Sequence, residues 1–201
     1  MALVKHNNNS ISAVTSMASL STGSMTLISE QTASSSASVE FTTGIDSTYP
    51  IYKFEFIDIH PSTDTVKFRV NFRDGGSNFD AIKTTTLFNA YHREDGTGGS
   101  LLYQTSEDLA QSTSAQFLSW NGGNDNDQTC VGSLILFNPS STTFVKHFMS
   151  RVSNYTQNDY AHDVYVAGYC NTTTAIDGVQ FSFDSGNIDA GTIKLYGIKD
   201  S

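Results

Sequence analysis

Residues 66–73 alternate without a break: Val66, Phe68, Val70 and Phe72 are apolar, and Lys67, Arg69, Asn71 and Arg73 between them are charged or amide-bearing. Successive side chains of an extended chain point to opposite faces, whereas a helix would scatter this set around its circumference. The stretch can therefore bury its apolar members only as a strand with one face on a core and one face in water. Asp74-Gly75-Gly76 follows as a turn.

The same period recurs along the chain. Tyr52, Phe54 and Phe56 alternate with Lys53 and Glu55, and at Ile57 and Ile59 the parity moves by one, which predicts a bulge. Further strands are predicted at about 25–31 (Met25, Leu27 and Ser29 on one side), 38–42, 84–92, 101–103, 116–118, 131–137, 144–152, 162–170, 179–183 and 192–198. The short link 60–64 is expected to close strands 51–60 and 65–73 into a hairpin. Roughly ten strands with frequent turn signals and no convincing helix predict an all-β protein. The expected architecture is an antiparallel β-sandwich of jelly-roll topology.

The first 22 residues read differently. Leu3, Val4, Ile11, Val14, Met17 and Leu20 stand singly among Ser, Asn and Thr, too sparse to close a core. Residues 1–22 are expected to be an extended arm that orders on a partner, and residues 23–201 to be the sandwich domain.

Composition excludes several function classes. The formal net charge is −9 with 20 acidic and 11 basic residues, and no Lys/Arg run exists to neutralise phosphates, so nucleic acid is not an expected partner. No stretch of 18 apolar residues suggests membrane insertion, and the N-terminus carries no recognisable secretory signal. Charged residues are only 15%, with Ser, Thr and Asn solvating the surface instead, as suits strands and turns. Cys130 and Cys170 are expected as buried free thiols, since two cysteines make no disulfide framework.

No nucleophile elbow, phosphate-binding loop, paired-histidine zinc motif or dinucleotide fingerprint occurs, and His6, His60, His92, His147 and His162 have no ligand spacing. The chain is read as a non-enzyme that needs no cofactor. Glu107 and Asp108 would face opposite ways on a strand and are read as a solvated edge. The run 124–128 offers hard oxygens but is read as a solvated turn; were it to hold Ca²⁺, Asp125 and Asp127 would be the best ligands. Tyr103, Trp120, Tyr155 and Tyr160 are the candidate ligand-facing aromatics, since sugars and partner proteins both bind to such rings.

Several stretches carry a family resemblance: GIDSTY at 44–49 with the strand after it, TSEDLAQST at 105–113, LFNPSSTTFVKHF at 136–148 and, most strongly, SGNIDAGTIKLYGIK at 185–199. Together with ALVK at 2–5, these resemble a family of virion structural proteins of marine bacteriophages. The resemblance spans about residues 23–199. It implies no catalytic residues, and the closing strand is similar to those of tail-fibre and decoration domains. A chain of this kind is expected on the virion surface after synthesis in the host cytoplasm, as a homotrimer contacting other capsid or tail proteins. Two roles follow: a capsid decoration (cement) protein held by its arm, or a short tail fibre that recognises a host-surface carbohydrate.

Overall fold

The computed structural model describes residues 24–199, and the arm residues Leu3, Val4, Ile11, Val14, Met17 and Leu20 lie outside them. Along the chain the strands are β1 (Met25–Thr32), β2 (Val39–Phe41), β3 (Ile51–Pro61), β4 (Phe68–Arg73), β5 (Lys83–Arg93) and β6 (Gly99–Tyr103). After a 3₁₀ turn at Thr105–Glu107 come β7 (Gln116–Phe117), β8 (Cys130–Phe137), β9 (Lys146–Tyr155), β10 (Tyr160–Cys170), β11 (Gly178–Phe183) and β12 (Ile188–Ile198). Every pairing is antiparallel. One sheet has eight strands in the order β1-β12-β3-β8-β9-β10-β5-β6, the other four in the order β2-β11-β4-β7. The protein is an all-β sandwich.

Alternation decides which residues meet. Tyr52, Phe54 and Phe56 of β3 and Phe68, Val70 and Phe72 of β4 are all buried. The two strands nevertheless do not form the expected hairpin. The link 62–67 carries the chain from one sheet to the other, so β3 pairs with β12 and β8 while β4 pairs with β11 and β7. The rings then face each other across the core: Phe56 lies 5.2 Å from Phe68 and 5.1 Å from Phe181, both edge-on, and Phe54 lies 5.2 Å from Phe181. Edge-on rings at this spacing are mutually attractive beyond the area they bury. Alternation serves a hairpin and a crossover equally well. Phenyl-on-phenyl packing across the sandwich is what the crossover gains.

The parity shift in β3 is a bulge. Pairing with β8 slips between Phe56 and Ile59, Asp58 takes φ 51°, Ile57 turns outward and Ile59 returns to the core. β12 is irregular opposite the bulge, where Gly191 has φ 116° and a Cβ on it would meet the Asp58 carbonyl oxygen at 2.5 Å. Only glycine accommodates both that dihedral and that approach. In β1 the packed residue is Ile28, whereas Met25 and Leu27 are exposed.

Strand pairs are nested: β3 with β12, β4 with β11, β5 with β10, β8 with β9. Doubled-back pairing of this kind occurs in jelly rolls, which divide their pairs evenly between two sheets. The distribution is uneven, however, because three of the four pairs lie in the large sheet and only β4·β11 lies in the small one. β7, the last strand of the small sheet, is two residues long, and its Gln116 accepts a hydrogen bond from Thr85 on the inner face of β5. Beyond β7 the inner face of β5 and β10 meets irregular chain instead of a sheet, and there the interior becomes polar.

Candidate functional site

The inward positions of β5 run Lys83, Thr85, Leu87, Asn89 and Tyr91, and those of β10 include His162, Val164 and Val166. Register pairing sets Tyr91 beside His162, and their rings stack with centroids 5.2 Å apart at 13°. Tyr160 stands edge-on to Tyr91 at 5.4 Å. These residues, with Leu102 of β6, Gln104 just after it, Trp120 and Asn121 after β7, and the β9–β10 turn, line a cavity of about 300 Å³.

A hydrogen-bond chain organises its floor. Gln104 Nε2 donates to Asn89 Oδ1 at 3.0 Å, and Asn89 Nδ2 approaches His162 Nδ1 at 3.4 Å. An amide NH₂ can only donate, so Nδ1 accepts and the neutral ring carries its proton on Nε2. Burial disfavours the charged ring and pushes the His162 pKa down to about 4, so it is neutral at pH 7. The β9–β10 turn is held by Thr156, whose hydroxyl accepts from the Tyr160 amide and whose carbonyl accepts from Gln128 Nε2. Asn154 clamps Trp120 by its backbone: its amide donates to the Trp120 carbonyl at 2.7 Å and accepts from the Trp120 N–H at 3.4 Å.

Glu107 is not a solvated edge. It pairs with Lys67 at 3.0 Å, with both side chains largely covered, and the Lys67 ammonium lies 4.2 Å from the Trp120 ring centroid and 4.6 Å from that of Phe117. The charge on Lys67 thus holds the indole in place through a cation–π contact. Asp108 accepts from the Leu87 N–H at 2.8 Å and from the Tyr103 hydroxyl, ordering the segment beside β5.

Of the four candidate aromatics, the structure brings Trp120 and Tyr160 together in the cavity. Tyr103 is 60% exposed and pairs in register with Phe88 on the outer face of the large sheet. Tyr155 lines a separate, more open hollow with His92, Glu94 and Asp127. Its hydroxyl bonds to Glu94 at 3.1 Å and Asp159 at 3.2 Å, and the Glu94 carboxylate leads in pushing its pKa up to about 12. Asp125 is engaged through its backbone, with its N–H donating to Gln128 Oε1 and its carbonyl bonding His60. Among the described residues no group of three His, Cys, Asp or Glu side chains is arranged to hold a metal ion. Both cysteines are buried and free, and burial raises each thiol to about 12. Asn89 and His162 went unmarked in the sequence reading, although each is a polar residue at an inward position of an apolar alternation. Gln104 lies in irregular chain, where no period could point to it.

No known protein family, curated protein or solved structure matches this chain.

Proposed function

We propose that the chain is a non-catalytic structural protein of a bacteriophage surface, serving as a capsid decoration protein that attaches to the shell through its N-terminal arm and assembles as a homotrimer. The observation that carries the assembly part is the outer face of the large sheet. Two adjacent rows of outward residues are almost wholly apolar. One runs Ala167, Met149, Ile135, Tyr196 and Leu27, broken by Lys53; the next holds Tyr169, Phe137, Ile51, Ile198 and Met25, broken by His147. Met149 is 55% exposed and Leu27 49%. The six strands from β10 to β1, at about 4.8 Å spacing, make these rows about 24 Å long, so the patch covers roughly 300 Å², at the lower end of the patch sizes that often mark contact sites.

Charge selects a second copy as its occupant. The chain carries −9 overall, yet the charges on this outer face balance: Lys53 with Glu55, Arg151 with Asp163 and Lys194 with Glu30, as ion pairs at 2.7, 2.8 and 3.1 Å. The face is a neutral area on an acidic molecule, where copies approach with least repulsion. Three such faces converging on a threefold axis would cover the patch.

Light scattering of the purified chain should give three chain masses, and Met149→Glu with Leu27→Glu should give one mass with an unchanged circular dichroism spectrum. A wild-type monomer would overturn the trimer. Electron microscopy of intact particles should show hundreds of copies on the head, and a chain starting at Gly23 should fold but fail to decorate particles lacking the protein. A second reading, a short tail fibre that binds a host-surface carbohydrate, is favoured by the aromatic-and-amide cavity beyond β7 and would show a handful of copies on the tail.

A further inference from the structure

We infer that the cavity beyond β7 is a binding site for a neutral hexopyranose unit, with Gln104 and His162 gripping its hydroxyls and Trp120 and Tyr160 forming the apolar walls. The inference rests on reading the chain as a surface-displayed protein, and it holds for either place on the particle.

Its basis is the chemistry of the lining. A pyranose presents flat C–H faces and a girdle of hydroxyls, each both donor and acceptor. It is recognised by aromatic surface together with paired donors and acceptors. Two large rings, Trp120 and Tyr160, border a space of about 300 Å³, the lower end of the range for small-molecule sites. Within it, Asn89 uses its carbonyl oxygen on Gln104 and its amide on His162. Among the described residues, Gln104 Oε1 and His162 Nε2 have no further partner. One is an acceptor, and the other, by the tautomer that Asn89 imposes, is a donor. A sugar hydroxyl, being both donor and acceptor, can answer either.

The lining also excludes alternatives. Every polar side chain in it is an amide, a hydroxyl or the neutral imidazole, so no charge is present to stabilise an ionised ligand. A carboxylated or sulfated sugar would bring a charge into a partly dry site without a counter-ion, which is unfavourable. Neutral sugars are therefore preferred over uronic or sialic acids. The site is also held ready in advance: Trp120 is fixed by Lys67 and Asn154, and the β9–β10 turn by Thr156 and Gln128. Binding then costs little ordering of the protein.

Trp120 is the only tryptophan in the chain, so intrinsic fluorescence reports on this cavity directly. The experiment titrates the purified full chain with glucose, galactose, mannose and N-acetylglucosamine, and with glucuronate and N-acetylneuraminate as charged probes. A saturable change with at least one neutral sugar is expected, about tenfold weaker or absent with the charged ones. Gln104→Ala should weaken the response about tenfold, and Tyr155→Phe, outside the cavity, should leave it unchanged. Matching thermal melts of the variants would show that the fold is kept. If Gln104→Ala fails to fold, competition by the same sugars for acrylamide quenching of Trp120 in the wild-type chain gives the same answer. No saturable response to any neutral sugar, an equal response to the charged ones, or an unchanged response in a folded Gln104→Ala would overturn the inference. The titration uses no particle, so its failure leaves the virion reading standing, and absence of the chain from particles leaves the titration standing.

Discussion

The large sheet has two interiors. Under β4 and β11 its inner face meets another sheet, and the contact is dry: Phe54, Phe56, Phe68 and Phe181 pack on one another and on Phe41 and Phe183, all of them in the buried apolar core. On β5 and β10 the inner face meets β7 and then loop, and Lys83, Thr85, Asn89 and His162 are buried there among hydrogen bonds. A sheet satisfies its own backbone and can offer a purely apolar surface. Loop brings unpaired carbonyls and amides that need partners, so the residues opposite it must be polar. The polar interior is thus a consequence of an undersized second sheet, and the cavity lies where the cover is thinnest.

The comparison breaks most visibly on the dry side. Phe181→Ala removes the ring that touches Phe41, Phe54, Phe56 and Phe68, and should cost about 3–5 kcal/mol, read as a fall in melting temperature of about 10 °C or more. A loss below about 1 kcal/mol would mean the rings are not a packed core.

On the polar side acid is the lever. His162 takes its proton at about pH 4 when folded and at its ordinary value of 6.5 when unfolded. Between those values the unfolded chain binds the extra proton, so stability present above pH 6.5 is lost as pH falls toward 4, by about 3 kcal/mol at most. Denaturant melts across this window should show wild-type stability falling toward pH 4 and that fall reduced in His162→Phe. Phe181→Ala should keep the wild-type slope.

At the alkaline end Lys83 plays the corresponding part, with a displacement of similar size. Burial holds its ammonium at about 8 against an ordinary 10.5, although the Ser114 carbonyl accepts from it at 2.8 Å. The unfolded chain binds more protons between those values, so stability rises as pH goes from about 8 to 10.5. Lys83→Met should flatten that rise in the same melts. The smallest effect belongs outside both interiors. Tyr155→Phe removes only solvent-facing bonds to Glu94 and Asp159 and should leave the midpoint of a urea melt unchanged.

The strands were legible because a period of two survives wherever one face is dry, and the bulge was legible because it breaks that period at Ile57. Which strand pairs with which was not. The link 60–64 is short enough for a hairpin, and nothing local reveals that β4 crosses to the other sheet. The cavity was half legible. Trp120 and Tyr160 stood out as large rings in polar surroundings, but so did Tyr103 and Tyr155, which the fold sends elsewhere. Asn89 and His162 carried a readable sign in their inward parity, whereas Gln104 is placed by a turn after β6 whose path depends on the whole sheet.

The nested pairing also sets a schedule for the growing chain. β3 ends at Pro61, and its outer partner β12 begins at Ile188. A ribosome adding about 5–20 residues per second needs roughly 6–25 s to cover that interval. Through it the rings of Tyr52, Phe54 and Phe56 have no native neighbour on the β12 side, and β4 waits similarly for β11. The hairpin β5-β6 and the longer meander β8-β9-β10 can form early, since their partners are made in immediate succession. The order of synthesis lets pairing begin in the middle of the chain and close outward to its two ends, and the early, ring-rich strands wait for their partners until the last strand arrives.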